Sequence, residues 1–263
     1  NRNHKSGLNR PERAMRLIIL VVASVICFPL ASFAQGASVA SVIEDLVAAN
    51  RILAAEGILP GYGHVSVRHP EDPSRYFLSR SLAPELVTID DIVEFDLDSV
   101  PIDPKGFSLF YLERFIHGEI YKARPDVQAV VHNHSPKVIS FGIGSTPLRP
   151  VFHQAAFFLD GIPVWDYRDF GTAGGVLVDN PERGRGLAVG LADRPVVLMR
   201  NHGVVVAASS LPMVVGRSIT LEVNAEMQNQ ALARGDEIIY LEQDEESLGS
   251  SFERAWNLWK RRL

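Results

Sequence analysis

Eight histidines are spread over 263 residues, and three of them sit where strand geometry makes them chemical partners. His132 and His134 fall at the end of the apolar run Val127–His132. Side chains two apart on a strand share a face, so both imidazoles point the same way. Two neutral imidazoles at that spacing can grip one metal ion at about 2.0–2.1 Å each. His202 follows a second apolar run, Val196–Met199, and precedes Gly203, where the backbone can pass close to a ligand. Three nitrogens from two strands make a facial set that leaves metal positions open for substrate oxygens. Glu113 lies near the start of a helix preceding the His132 strand; packed there, it could aim its carboxylate at the same ion, as fourth ligand or acid/base. His117, four residues on, shares the helix face of Glu113 and could line the site or orient that carboxylate. Each residue has a plainer reading: a surface His-x-His pair, a strand-end histidine bonded to backbone, a solvated glutamate.

The surrounding sequence supplies elements to hold these groups. Ser41–Glu56 has helical apolar spacing and stops at Gly57, a C-cap residue. Short β-type runs follow at His64–Arg68, Tyr76–Ser79 and Ile92–Leu97. Leu112–Lys122 reads as a helix ended by Arg124-Pro125. Val127–His132 is a strand, Val151–Phe158 an apolar stretch and Val164–Tyr167 a short strand. Pro181–Leu191 is a helix with proline in its first turn. Strands at Val196–Met199 and Val204–Ala207 flank Asn201-His202-Gly203, before a long helix Leu211–Arg234 closed by Gly235 and a final one over Ser247–Arg261. Intermixed helices and strands predict a single α/β sandwich, and no glycine-rich nucleotide-phosphate loop is present.

Several segments together resemble the class II aldolase/adducin family: Glu113-x-x-x-His117, Ala123-Arg124-Pro125-Asp126-Val127, Val130-Val131-His132-Asn133-His134-Ser135 and Asn201-His202-Gly203. The resemblance runs from about Ser41 to about Ala233. It implies a three-layer α/β/α sandwich around a largely antiparallel sheet, usually a tetramer with active sites between subunits. It also implies one divalent ion per subunit, zinc first and manganese, cobalt or magnesium as alternatives, on His132, His134 and His202, with Glu113 ligating or moving protons. Tyr167 falls where fuculose-phosphate aldolase places a proton-donating tyrosine, though a half-buried strand aromatic is the plainer reading.

The departures narrow the substrate. The three segments that hold phosphate in sugar-phosphate members read here Gly63-His64-Val65-Ser66, Ser79-Arg80-Ser81-Leu82 and Tyr111-Leu112. Histidine replaces asparagine in the first, the second lacks its glycine, and the third cannot supply two hydroxyl donors. The segments Ser79–Val87 and Glu113–Tyr121 instead resemble decarboxylases of the superfamily that act on hydroxy-carboxy-muconic semialdehydes and dihydroxyphthalates. Arg80 would then grip a substrate carboxylate with its guanidinium fork, or else make an ordinary salt bridge. His64 and His117 join Glu113 and Tyr167 as groups able to bind substrate or deliver a proton. The expectation is a metal-dependent carbon–carbon lyase, decarboxylating a small hydroxy-aromatic or unsaturated hydroxy acid. The alternatives are an aldolase on a non-phosphorylated carbonyl substrate and a non-catalytic adducin-like interaction module.

Composition bounds the partners. The formal net charge is −5, yet residues 1–34 hold five basic residues and one acid. The remaining 21 basic and 30 acidic residues make an acidic body, a poor surface for nucleic acid or anionic membrane. The single cysteine, Cys27, excludes an intramolecular disulfide framework and any multi-cysteine metal site. Arg10, Arg13 and Arg16 precede an apolar run from Leu17 to Ala31, which ends in Ser32-Phe33-Ala34. That is the pattern of a secretory signal peptide starting near Met15 and cleaved after Ala34; a buried helix or uncleaved anchor is the alternative. The expected mature chain, 35–263, is one domain that is secreted or periplasmic, or cytoplasmic if the leader reading fails.

Overall fold

The structure is a computed structural model that describes residues 38–170, 175–242 and 252–263. The leader reading, Cys27, Gly171-Thr172 and the start of the predicted last helix lie outside the described residues.

Valine-rich runs build the centre of the molecule. β1 (His64–Arg68), β2 (Arg75–Ser79), β3 (Ile92–Asp96), β4 (Ala129–Asn133), β5 (Val164–Trp165), β6 (Val196–Met199) and β7 (Gly203–Ala208) form one sheet in the order β3-β2-β1-β4-β7-β6-β5. Five pairings are antiparallel and one, β5 with β6, is parallel. Every residue of β1, β4, β6 and β7 is buried, as expected of strands covered on both faces.

One face, through Val65, Phe77, Val131, Leu198 and Val206, packs on α1 (Val39–Ala55), α3 (Pro136–Gly142), α5 (Leu211–Arg234) and α6 (Glu253–Lys260). The other face, through Leu78, Val93, Val130, Val197 and Val205, packs on α2 (Phe115–Ala123) and α4 (Pro181–Leu191). The result is the three-layer sandwich expected. Val131 and Ile120, inaccessible on opposite sides of the sheet, each contribute on the order of 1.5–3 kcal/mol by burial.

Local signals set the helix ends. Ser38, Ser135, Asn180 and Ser210 each accept a first-turn backbone N–H at their N-caps. Gly235 ends α5 at φ 74°, a left-handed conformation that glycine adopts without strain. The apolar stretch Val151–Phe158 is a loop and a 3-10 turn, and α3 was not foreseen. Among the described residues, no helix is long and apolar enough to cross a membrane.

Candidate metal centre and its cleft

Antiparallel pairing brings the chemistry together at one end of the sheet. His132 on β4 lies opposite His64 on β1 and Val205 on β7, and the His134 and His202 rings stand against it. His132 Nε2 is 3.0 Å from His134 Nε2, which is 3.1 Å from His202 Nε2. Glu113 Oε2 lies 3.3 Å from His132 Nε2 and 3.4 Å from His202 Nε2. Glu113 is buried, which removes the solvated-glutamate reading. The predicted helix over Leu112–Lys122 breaks there: Leu112–Arg114 is a 3-10 turn with Glu113 at φ −87°, ψ 18°, and the regular helix starts only at Phe115. That kink turns the carboxylate toward the histidines.

Second contacts fix how each group presents itself. His132 Nδ1 donates to the Val204 carbonyl at 3.2 Å and His202 Nδ1 to the Val176 carbonyl at 3.1 Å. A carbonyl can only accept, so these rings carry their proton on Nδ1 and leave Nε2 bare. Glu113 Oε1 accepts the Val178 N–H at 2.9 Å, leaving Oε2 free to face the rings. Arg183, from α4, steadies this segment by donating to the Gly175 and Leu177 carbonyls. Burial, followed by its two histidine neighbours, lowers His134 to about 4.

These facts test the fit of a cation. Four ligand atoms lie within 4.8 Å of one another, and two of the three imidazole nitrogens are bare. At most the His134 proton remains to be shared among four converging acceptors, so lone pairs face lone pairs at 3.0–3.4 Å. A divalent ion about 2.0–2.1 Å from each nitrogen removes that repulsion, and three imidazoles with one carboxylate is a donor set that suits zinc. The residues fit a metal.

Close backbone approach holds the two strand ends together. A Cβ on Gly203 would stand 2.4 Å from the Asn133 oxygen and 3.0 Å from both His132 Cε1 and His134 Cδ2. Gly63, at φ +89°, lets β1 enter beside β4, where a Cβ would meet the His132 oxygen at 2.6 Å.

The cluster opens on a cleft of about 560 Å³ lined by Tyr62, His64, Ser81, Leu82, Phe110, Tyr111, Leu112, Glu113, His134 and Leu177, among others. The three segments singled out as departures in the sequence all reach it. Tyr111 closes one wall: its hydroxyl donates to the Leu82 carbonyl at 2.5 Å, and the Leu82 N–H and Ser79 hydroxyl reach its oxygen at 3.4 Å. Loop donors that would face an anion face this phenol instead. Burial raises the Tyr111 hydroxyl above its ordinary pKa, keeping it neutral.

Two substrate-binding readings are corrected. Arg80 does not line the cleft; its Nε donates to Asp91 at 2.7 Å and its guanidinium lies over the Phe107 ring at 5.1 Å, so the salt-bridge reading fits. His117 is wholly inaccessible and cannot touch substrate. It does not orient Glu113 by a hydrogen bond either, because its Nε2 meets His64 Nδ1 and its Nδ1 meets Ser66 Oγ, both at 2.6 Å. Burial, then His132, lowers His117 to about 3, and burial first also lowers His64. Tyr167 is half-buried in a 3-10 turn over Tyr167–Phe170, packed on the second core face, and is not among the cleft-lining residues. Sequence reasoning missed Tyr111 as a wall, Ser66 and Tyr121 as partners of His117, and Arg183. Ser66 follows His64 by two on a strand and Tyr121 follows His117 by four on a helix, spacings that mark a shared face.

Comparison with known proteins agrees with this geometry. Residues 44–229 match the Class II Aldolase and Adducin N-terminal domain. The decarboxylase TropJ of Talaromyces stipitatus is 34% identical over 84% of this chain and 93% of its own. A 3,4-dihydroxyphthalate decarboxylase of Arthrobacter keyseri is 30% identical over 81% of this chain and 90% of its own. Among solved structures, an aldolase II superfamily protein from Pseudomonas syringae is 26% identical and covers 87% of this chain and 94% of its own, with a TM-score of 0.73. L-fuculose 1-phosphate aldolase from Glaciozyma antarctica is 25% identical over 87% of this chain and 92% of its own, with a TM-score of 0.71. With more than half its length matched and the fold shared, the chain belongs to the class II aldolase and adducin family.

Proposed function

We propose that the protein is a metal-dependent decarboxylase of a small hydroxy-aromatic or unsaturated hydroxy acid, with zinc on Glu113, His132, His134 and His202. One observation carries the choice of decarboxylation: none of the described residues lining the cleft is lysine or arginine, and Leu82, Ala83, Phe110, Leu112 and Leu177 make much of its wall apolar. A carboxylate held against that apolar wall is stripped of water with no lysine or arginine to pair with it, and its conversion to neutral carbon dioxide relieves that cost. A phosphate dianion has no such escape, and Tyr111 already takes the loop donors that might receive it. The decarboxylases among the relatives support the same choice.

A divalent ion on the four donors would supply Lewis-acid stabilisation of the negative charge that develops on a substrate oxygen as the carbon–carbon bond breaks. The protein's own groups do the positioning. The Val204 and Val176 carbonyls hold two imidazoles in the tautomer that presents Nε2, and the Val178 N–H holds Glu113 in place.

A screen of the zinc-supplemented protein against hydroxy-aromatic acids should release carbon dioxide, with loss of turnover on chelation. Formation of an aldehyde or ketone fragment instead, above all efficient cleavage of a sugar phosphate, would replace this reading with an aldolase.

A further inference from the structure

Behind the cleft runs a buried chain of hydrogen bonds that the metal cluster does not use. It links His64 Nδ1 to His117 Nε2 at 2.6 Å, His117 Nδ1 to Ser66 Oγ at 2.6 Å, and Ser66 Oγ to the Tyr121 hydroxyl at 2.7 Å. All four residues are buried, and no carboxylate bonds to either ring among the described residues. Only His64 lines the cleft.

The direction of this chain follows from counting protons. Neither ring has a carboxylate to share a second proton, so each imidazole carries one. Ser66 also has one, and it serves either His117 or Tyr121. Suppose His64 donated from Nδ1 to His117. His117 would then donate from Nδ1 to Ser66, and Ser66 to the Tyr121 oxygen. The phenol proton would be left in the core with no acceptor, because Ser66 Oγ is the one partner of the Tyr121 hydroxyl among the described residues. Buried donors are rarely left unpaired. In the opposite direction every proton has a place: Tyr121 donates to Ser66, Ser66 to His117 Nδ1, and His117 Nε2 to His64 Nδ1. The His64 proton is then on Nε2, which bonds no protein group among the described residues. Arg68 favours this polarity, since the positive charge of its guanidinium lies 4.7 Å over the Tyr121 ring and makes the phenol a better donor; a hydrogen bond to the Tyr121 backbone carbonyl holds the guanidinium there.

We infer that Tyr121, three hydrogen bonds behind the cleft, is a positioning residue that fixes His64 as a neutral donor, whose Nε2–H binds an anionic or carbonyl oxygen of the substrate. The inference rests on the cleft being the substrate site and deepens that reading. With Arg80 turned to Asp91, His64 joins the exposed hydroxyls of Tyr62 and Ser81 as a donor in the cleft, and it alone of the three is oriented by the buried chain. A substrate for this site carries an oxygen acceptor within reach of both His64 and the four-residue cluster. A hydroxy acid with adjacent oxygens has that form.

Long-range proton–nitrogen correlation spectra of histidine-labelled, zinc-supplemented protein read the tautomer directly, with His64→Gln assigning the His64 signals. The spectrum is readable whether or not any acid is decarboxylated, so failure of the tautomer assignment and failure of the decarboxylase reading are separate results. In the wild type, the His64 proton should sit on Nε2 and that of His117 also on Nε2. Tyr121→Phe deletes the terminal donor and should convert the single His64 tautomer into a mixture. Ser66→Ala cuts the same chain one bond nearer the site and gives the second test if the tyrosine variant does not fold. A wild-type His64 protonated on Nδ1 overturns the inference, as does a His64 that keeps the Nε2–H form alone in the folded variant.

Discussion

Gly203→Ala places one methyl group at the joint between the two halves of the proposed metal site. The new Cβ would lie 2.4 Å from the backbone oxygen of Asn133 and 3.0 Å from carbon atoms of His132 and His134. The oxygen belongs to β4, whose Asn133 pairs with Val204 of β7, so it cannot rotate away as a side chain would. Restoring an ordinary contact requires the strand ends to separate by roughly 1 Å. His202 immediately precedes Gly203, whereas His132 and His134 sit on the other side of the joint. Metal–ligand distances tolerate only about 0.2 Å, so that separation breaks the common spacing of the three nitrogens. The expected result is a fall in zinc affinity of about 10–100-fold, the range found when groups supporting a metal's ligands are disturbed. The overpacking itself should cost about 1–3 kcal/mol in the metal-free protein. Competition with a chromophoric chelator measures the first, and thermal unfolding in excess chelator the second. Gly61→Ala is the local control, because a Cβ there meets nothing within 4 Å. If Gly203→Ala bound zinc as tightly as the wild type, the strand-end joint would not be what holds the histidines together.

Other outcomes follow from the same geometry. His202→Ala should lose most bound metal by elemental analysis; full occupancy in that protein would remove His202 from the ligand set. Asp91 accepts hydrogen bonds from Thr88 and Arg80; although burial opposes ionisation, these bonds hold its carboxyl below the ordinary value of 3.8. A carboxyl depressed on folding adds stability that is complete above its unfolded pKa and is lost as pH falls through the folded one. Denaturant titrations of metal-free protein should therefore show Asp91→Asn less stable at neutral pH and losing less than the wild type below pH 3.8. Equal acid sensitivity would contradict the assignment. Ser135→Ala removes the N-cap of α3 and a hydrogen bond to Glu222, and should lower stability by about 0.5–2 kcal/mol in the same titrations.

The elements that the sequence made legible are those whose signals are local. Pro181–Leu191, Val196–Met199 and Leu211–Arg234 appear with the bounds read from a first-turn proline, a valine-rich run and a closing glycine. The candidate metal set was legible for the same reason, since His132 and His134 needed only strand periodicity to share a face. α3 was missed because its stability comes from elsewhere. Seven residues are too few for a self-sustaining helix. It is held instead by Ser135 and Lys137 reaching Glu222 and Glu226 on α5, and by Ser140 reaching Asn229. Nothing near Pro136 in the chain announces partners almost ninety residues away.

The readings that changed have a common cause, which is that periodicity gives the face of a side chain but not what meets it there. His117 does share a helix face with Glu113, yet the 3-10 kink at Glu113 sends the carboxylate to the histidine cluster and leaves His117 facing β1. Arg80 does sit in the loop that borders the cleft, but Asp91 lies eleven residues on and closes across the hairpin to take its Nε. Moving that one guanidinium out of the cleft changes the chemistry expected there. With Arg80 inside, the site would stabilise a carboxylate in the ground state and raise the barrier to losing it. With Arg80 held by Asp91, a carboxylate in the cleft meets apolar wall, the hydroxyls of Tyr62, Ser81 and Tyr111, and the imidazole of His64 rather than a guanidinium. On the proposed decarboxylase reading, discrimination then favours the transition state, in which the negative charge leaves the carboxyl group for an oxygen beside Glu113 and the three histidines.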